Sequence, residues 1–177
     1  MAIESKYWKE ELARVAKICR PMVKPPRYSE RSVCAIEREI MIGFFIVRRM
    51  IELNKVSKKI INLQHEVLSA PVTQPVNKLN RFEVVENYNW QSQKSEKKPV
   101  LYICNQFIHA YLSNVERDTD RNWSHLLVVS DFDRKNLIWR IPFSTIVYLF
   151  DVVSNDYPNR AKMKFNAKLD DYKITTD

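Results

Sequence analysis

Apolar positions near the start of the chain recur at helical spacing. Trp8, Leu12, Val15, Ala16 and Cys19 share one face of a helix predicted over residues 4–19. Pro21 stops it, and Lys24-Pro25-Pro26-Arg27 reads as a stiff, extended connector. Ser29 has the character of an N-cap for a long helix over 30–53, whose buried stripe is Val33, Ile36, Ile40, Phe44, Val47 and Ile51. Gly43 lies inside that stripe and would permit a close helix crossing, and Asn54 is a suitable C-terminal stop.

The period then shortens to two. Ile61, Leu63, His65 and Val67 alternate with Asn62, Gln64 and Glu66, which predicts a half-buried strand over about 60–68, ended by Pro71 and Pro75. Asn80 with Glu83 three residues on resembles a capping box and opens a short helix to about Tyr88, and residues 89–98 read as a polar loop. Pro99 fits the first turn of a further helix over 99–113, with Val100, Cys104, Phe107, Ile108 and Tyr111 turned to the core. A charged loop follows over 114–122. Two strands, 123–130 and 136–141, flank a turn at Asp131–Lys135. Pro142 opens a last helix to Val153, and the tail over 162–175 forms a second hairpin around Asp170-Asp171. The pattern predicts one α+β domain over 1–177: a helical first half with a long central helix, and a small antiparallel sheet of short strands in the second half. The helical parts are about 1–58, 78–113 and 142–153. An all-helical bundle with one hairpin appendage is the alternative.

Composition narrows the chemistry. The chain has 177 residues, 45% hydrophobic and 11% aromatic, enough to bury a core. Its single glycine excludes glycine-rich phosphate loops and dinucleotide fingerprints, so Asn and Asp are left to make turns. Cys19, Cys34 and Cys104 have no metal or redox spacing and read as buried apolar residues in a reducing compartment. The charged N-terminus and an uncharged apolar run of only eight residues, Ile40–Val47, predict no signal peptide and no membrane span; a span needs about 20 residues. A cytoplasmic location is therefore expected.

The formal net charge is +8. Residues 1–60 hold 14 Lys/Arg against 7 Asp/Glu, and the remainder holds 15 against 14, so the excess falls on the helical half. Such a bias suits an anionic partner or a merely solvated face. His65, His109, His125 and the cysteines have no metal-ligand spacing, and no metal or other cofactor is expected. Asp131-x-Asp133 lacks the later ligands and glycine of a calcium loop and reads as a hairpin turn. Trp123 and Trp139 fall in predicted strands and read as core, although tryptophans, Trp90 among them, can stack on bases.

The most specific local feature is Cys104-Asn105-Gln106-Phe107-Ile108-His109. Asn105 and His109 are four apart on the predicted helix and share a face, where a histidine can act as acid or base near neutral pH. The segment resembles the signature of HEPN domains, helical proteins that often cleave RNA without metal, and it resembles uncharacterised bacterial proteins with a similar run. That likeness implies Asn105 as the polar position and His109 as the catalytic histidine, and it implies dimerisation through the motif helices. Cys104 stands where the family carries arginine. A neutral thiol cannot replace a guanidinium on phosphate, and losing such charge stabilisation costs ~3–4 kcal/mol. Arg48 and Arg49 on the long helix are candidate replacements and candidate nucleic-acid contacts. The expectation is a HEPN-like homodimeric module that binds RNA or a protein partner without cleaving. The alternatives are a metal-independent endoribonuclease of toxin or defence type, and a purely structural protein.

Overall fold

The computed structural model describes residues 5–168 and 170–177, and within them a mixed α+β fold. The helices are α1 (Ser5–Cys19), α2 (Glu30–Glu52), α3 (Lys58–Ile61), α4 (Val84–Asn87), α5 (Val100–Ile108) and α6 (Phe143–Ser154). The strands are β1 (Gln64–Pro71), β2 (Lys94–Pro99), β3 (Ala110–Arg117), β4 (Trp123–Ser130), β5 (Leu137–Pro142), β6 (Ala161–Asn166) and β7 (Asp171–Thr176). The first five strands form one antiparallel sheet in the order β2-β1-β5-β4-β3, and β6 and β7 form a separate two-stranded ribbon.

Period-2 burial sorts the sheet into two faces. Val67, Leu126, Val128, Trp139 and Ile141 join a helical layer in which Phe44 of α2 stacks on Phe107 of α5 at 4.2 Å between ring centres. Phe150 of α6 meets Phe44 edge-on at 5.0 Å. The crossing is as close as the sequence suggests: a Cβ on Gly43 would overlap the buried Phe150 ring. On the other face Ala70, Leu127, Val129 and Ile138 are roofed by Val76, Val84 and Tyr88 from the segment that links β1 to β2. Trp123 and Trp139 are both core residues.

Local signals explain where elements begin and end. Ser29 caps α2 reciprocally with Ser32, each side chain holding the other's backbone N–H. Asn54 stops the helix with a left-handed φ of 55°, a conformation Asn tolerates. Lys9 of α1 is buried and donates to the Lys55 carbonyl at 2.9 Å and to the Asp156 carbonyl, tying the first helix to two loops.

Several boundaries differ from the sequence reading. The helix expected over 99–113 ends at Ile108, and Tyr111 lies on β3 instead, because the chain turns directly into a strand that a bulge between Ala110 and Leu112 puts out of simple alternation. The loop expected over 114–122 is therefore half strand. Residues 94–98, read as polar loop, fall with Pro99 in β2, an edge strand whose lysines suit an unpaired edge. The strand expected from about 60 begins at Gln64, since Lys58–Ile61 make a helical turn capped by Ser57. The helix expected from Asn80 shrinks to Val84–Asn87, because the Asn80 side chain binds the Asn77 N–H and the Pro75 carbonyl rather than capping. Cys34, expected in the core, is exposed on α2.

Candidate functional site

Of the residues singled out in the sequence, Arg48 and Asn105 meet where α2 crosses α5. Arg48 Nη1 donates to Asn105 Oδ1 at 2.8 Å, so a guanidinium does reach the polar position beside Cys104. It arrives already engaged, because Arg48 Nε donates to Glu52 Oε1 at 2.9 Å. Arg49 reaches the other Glu52 oxygen at 3.2 Å. One glutamate thus answers both arginines and is held below its usual carboxylate range, first by the hydrogen bond from Arg48. Further along α2, Arg38 pairs with Glu39, which also receives Arg14 of α1. Burial pushes Glu39 up, but its two arginine hydrogen bonds outweigh that and leave it below its ordinary value.

His109 sits at the C-cap of α5, not within the helix. Its N–H donates to the Asn105 carbonyl at 3.1 Å and its carbonyl accepts from Asp131 at 3.1 Å. The side chain is exposed, and no hydrogen bond orients the imidazole among the described residues. Cys104 is fully buried beneath, its thiol pushed up to about 12 by burial against a small opposing pull from Arg48. The same two helices leave apolar side chains uncovered: Met41, Ile42 and Phe45 on α2 and Leu101 and Ile108 on α5 are between 37% and 56% exposed. An unpartnered surface of that make-up, beside cations that the fold itself neutralises, suits docking better than acid–base chemistry.

Two polar clusters escaped the sequence reading. In the turn between β4 and β5, Asp133 Oδ2 accepts from Tyr102 Oη at 2.8 Å, Gln106 Nε2 at 2.8 Å and Trp139 Nε1 at 3.2 Å. Gln106, buried on α5, also accepts the Ser130 N–H at 3.1 Å, so this cluster clamps α5 to the hairpin. Asp133 was visible only as a turn residue, and nothing local announces three donors from elsewhere. On the outer face of the sheet, Arg140 Nε donates to Glu116 Oε2 at 2.7 Å beside a cavity of about 500 Å³ lined by Trp90, Gln93 and Asn114. His125 Nδ1 lies 3.7 Å from the same carboxylate, too far for a hydrogen bond. Burial and then the Arg140 charge lower the His125 pKa, with Glu116 opposing.

Among the described residues, no group of three His, Cys, Asp or Glu side chains could hold a metal ion, and no helix is long and apolar enough to cross a membrane. No family model, curated protein or solved structure matches the chain.

Proposed function

We propose that the chain is a non-cleaving, HEPN-like binding module that docks a protein through the α2–α5 face. The observation that carries this reading is the pairing of Arg48 with both Glu52 and Asn105 on helices that also expose Met41, Ile42, Phe45, Leu101 and Ile108. A guanidinium committed to two partners is a poor phosphate clamp, whereas exposed Met, Ile and Phe side chains gain by burial.

A second copy of the chain is the partner this face fits. With Phe45 on a two-fold axis, α2 packs antiparallel on itself, and Arg38 and Glu52, seven residues to either side, come opposite each other. Phe45 then meets Phe45, and Met41 and Ile42 come opposite the aliphatic stems of Arg49 and Arg48. Size-exclusion chromatography with light scattering tests this. The expected result is a dimer for the wild type and a monomer for Phe45→Glu; a wild-type monomer at every concentration would contradict it.

A second reading, cleavage of RNA, has one observation in its favour. Arg48 supplies a cation to Asn105, one helical turn before His109, as a replacement for the missing motif arginine would have to. In that reading His109 moves the proton and Arg48 contacts the phosphate. RNA incubated with the protein in EDTA would then acquire 2′,3′-cyclic phosphate ends, and His109→Ala would abolish them. Intact RNA excludes it.

A further inference from the structure

The ribbon formed by β6 and β7 carries lysines that no carboxylate pairs among the described residues. Its register pairs Lys164 directly with Lys173, Lys162 with Thr175 and Asn166 with Asp171, so three lysines share one face, with Asp171 at its turn end. None of the three makes an ion pair among the described residues. Like charges placed directly opposite weaken a strand pair, and a ribbon with no third strand is marginal in water to begin with. A cavity of about 340 Å³ at its base extends the basic line. Lys58, Arg160 and Lys162 line it together with Thr175 and Thr176, and Asp177 is the acidic residue there.

The opposite face is mainly apolar and uncovered over its outer part, while Ile174 is half-buried and Thr176 buried toward the body. Met163, Phe165 and Tyr172 are 67%, 50% and 60% exposed, and the two rings meet edge-on with centres 5.3 Å apart. A hydroxyl contact, Thr176 Oγ1 to the Val56 carbonyl at 2.6 Å, anchors the ribbon to the body.

We infer that this ribbon binds single-stranded nucleic acid, with the lysine face on the phosphodiester backbone and the Phe165–Tyr172 pair as a stacking platform for bases. Lys162 and Lys164 lie two residues apart on one strand, about 6.6 Å, a spacing that successive phosphates of an extended strand can match. Unpaired cations in a row favour a polyanion, and exposed rings favour bases that are free to leave a stack. The arrangement argues against a lipid surface. A flat bilayer can engage either the lysines or the aromatics, which point in opposite directions, whereas a flexible strand can wrap the ribbon and reach both. This site is separate from the α2–α5 face, and a monomeric protein could use it equally well.

Fluorescence anisotropy of the full chain with oligouridylate and oligothymidylate of about 12 nucleotides tests the inference. Binding should be measurable at about 50 mM salt and should weaken with a log–log slope of about −2, the value for three phosphate contacts on a single strand. Lys164→Gln with Lys173→Gln should shrink that slope by about 1.4. Phe165→Ala with Tyr172→Ala should cost at least about fivefold in affinity while leaving the slope in place. The lysine variant removes a repulsion, so an unchanged or raised melting temperature will show that it remains folded. No affinity at low salt, affinity unaltered in both variants, or binding to phosphatidylserine vesicles in place of either oligonucleotide would overturn the inference.

Discussion

The long helix α2 and the C-terminal ribbon are both rich in cations, yet they hold them in opposite ways. On α2, Arg38 is answered by Glu39, and Arg48 and Arg49 by Glu52, within 3.2 Å in each case, leaving only exposed Arg31 in the first turn without an acid partner among the described residues. On the ribbon, Lys164 faces Lys173 and neither makes an ion pair among the described residues. Net charge counted along the sequence assigns the basic excess to the first sixty residues, but the field a partner meets depends on which charges remain unpaired. α2 is also buried deeply on one side, with Ile40, Phe44 and Val47 at 0–1% exposure, while β6 and the first half of β7 are exposed on both faces. The helix is built to hold the fold together, and the ribbon is built at some cost to its own stability.

The largest expected effect concerns packing. Phe107→Ala removes the ring stacked on Phe44 and should cost ~3–5 kcal/mol in chemical denaturation, whereas Phe165→Ala on the ribbon should cost less than ~1 kcal/mol. Between those extremes, Cys104→Ala should cost ~1–2 kcal/mol, because the side chain is fully buried between helices, and His109→Ala should barely change stability, because the side chain is exposed. A costly His109→Ala with a neutral Cys104→Ala would reverse the assignment of core and surface on α5.

The next expectation is a pH dependence confined to the body. His65 is 3% exposed, its Nε2 has no hydrogen-bond partner, and burial holds its pKa below 6.5. The unfolded chain therefore takes up the proton first as pH falls. Stability contributed by the neutral histidine is present above pH 6.5 and is lost progressively down to the lowered folded value. His125, shifted in the same direction, adds to the slope. Thermal melts between about pH 8 and pH 5 should show this decline, and His65→Phe should flatten part of it. The ribbon has no histidine, so its local opening, followed by hydrogen exchange, should not track that slope.

The smallest effect is the most diagnostic of the ribbon. Lys173→Glu replaces a like-charge cross-strand pair by an opposite-charge one and should raise stability by ~0.2–1 kcal/mol. A mutation that stabilises the protein while weakening its binding would mark the lysine pair as a functional compromise. A loss of stability would show that the pair does not repel.

Much of the body was legible because strong periodicity and clear stops coincide. The stripe and caps of α2, the β4–β5 hairpin, α6 and the ribbon itself all follow from alternation and turn residues in the sequence. The end of α5 was not legible. With no glycine or proline after Ile108, the apolar spacing runs on through Tyr111, and only the pairing of β3 with β4 stops the helix. Strand β2 was hidden because Lys-Ser-Glu-Lys-Lys has the composition of a loop, and hydrogen bonds to β1 are what make it a strand. At the candidate site, the meeting of Arg48 with Asn105 depends on a crossing between residues 57 apart, beyond any local pattern. The i,i+4 spacing of Arg48 and Glu52 was in plain view, and it is the signal that these cations are already answered.

The contrast between paired and unpaired charge is tested most directly by measuring the salt dependence of oligonucleotide binding in three proteins: wild type, the double variant Lys164→Gln/Lys173→Gln, and the double variant Arg48→Gln/Arg49→Gln. The ribbon variant should lose about 1.4 from the log–log slope together with most of the affinity, while the α2 variant should match the wild type within about twofold. The opposite outcome, with binding lost in the α2 variant and retained in the ribbon variant, would place the anionic partner on the helices and contradict the account.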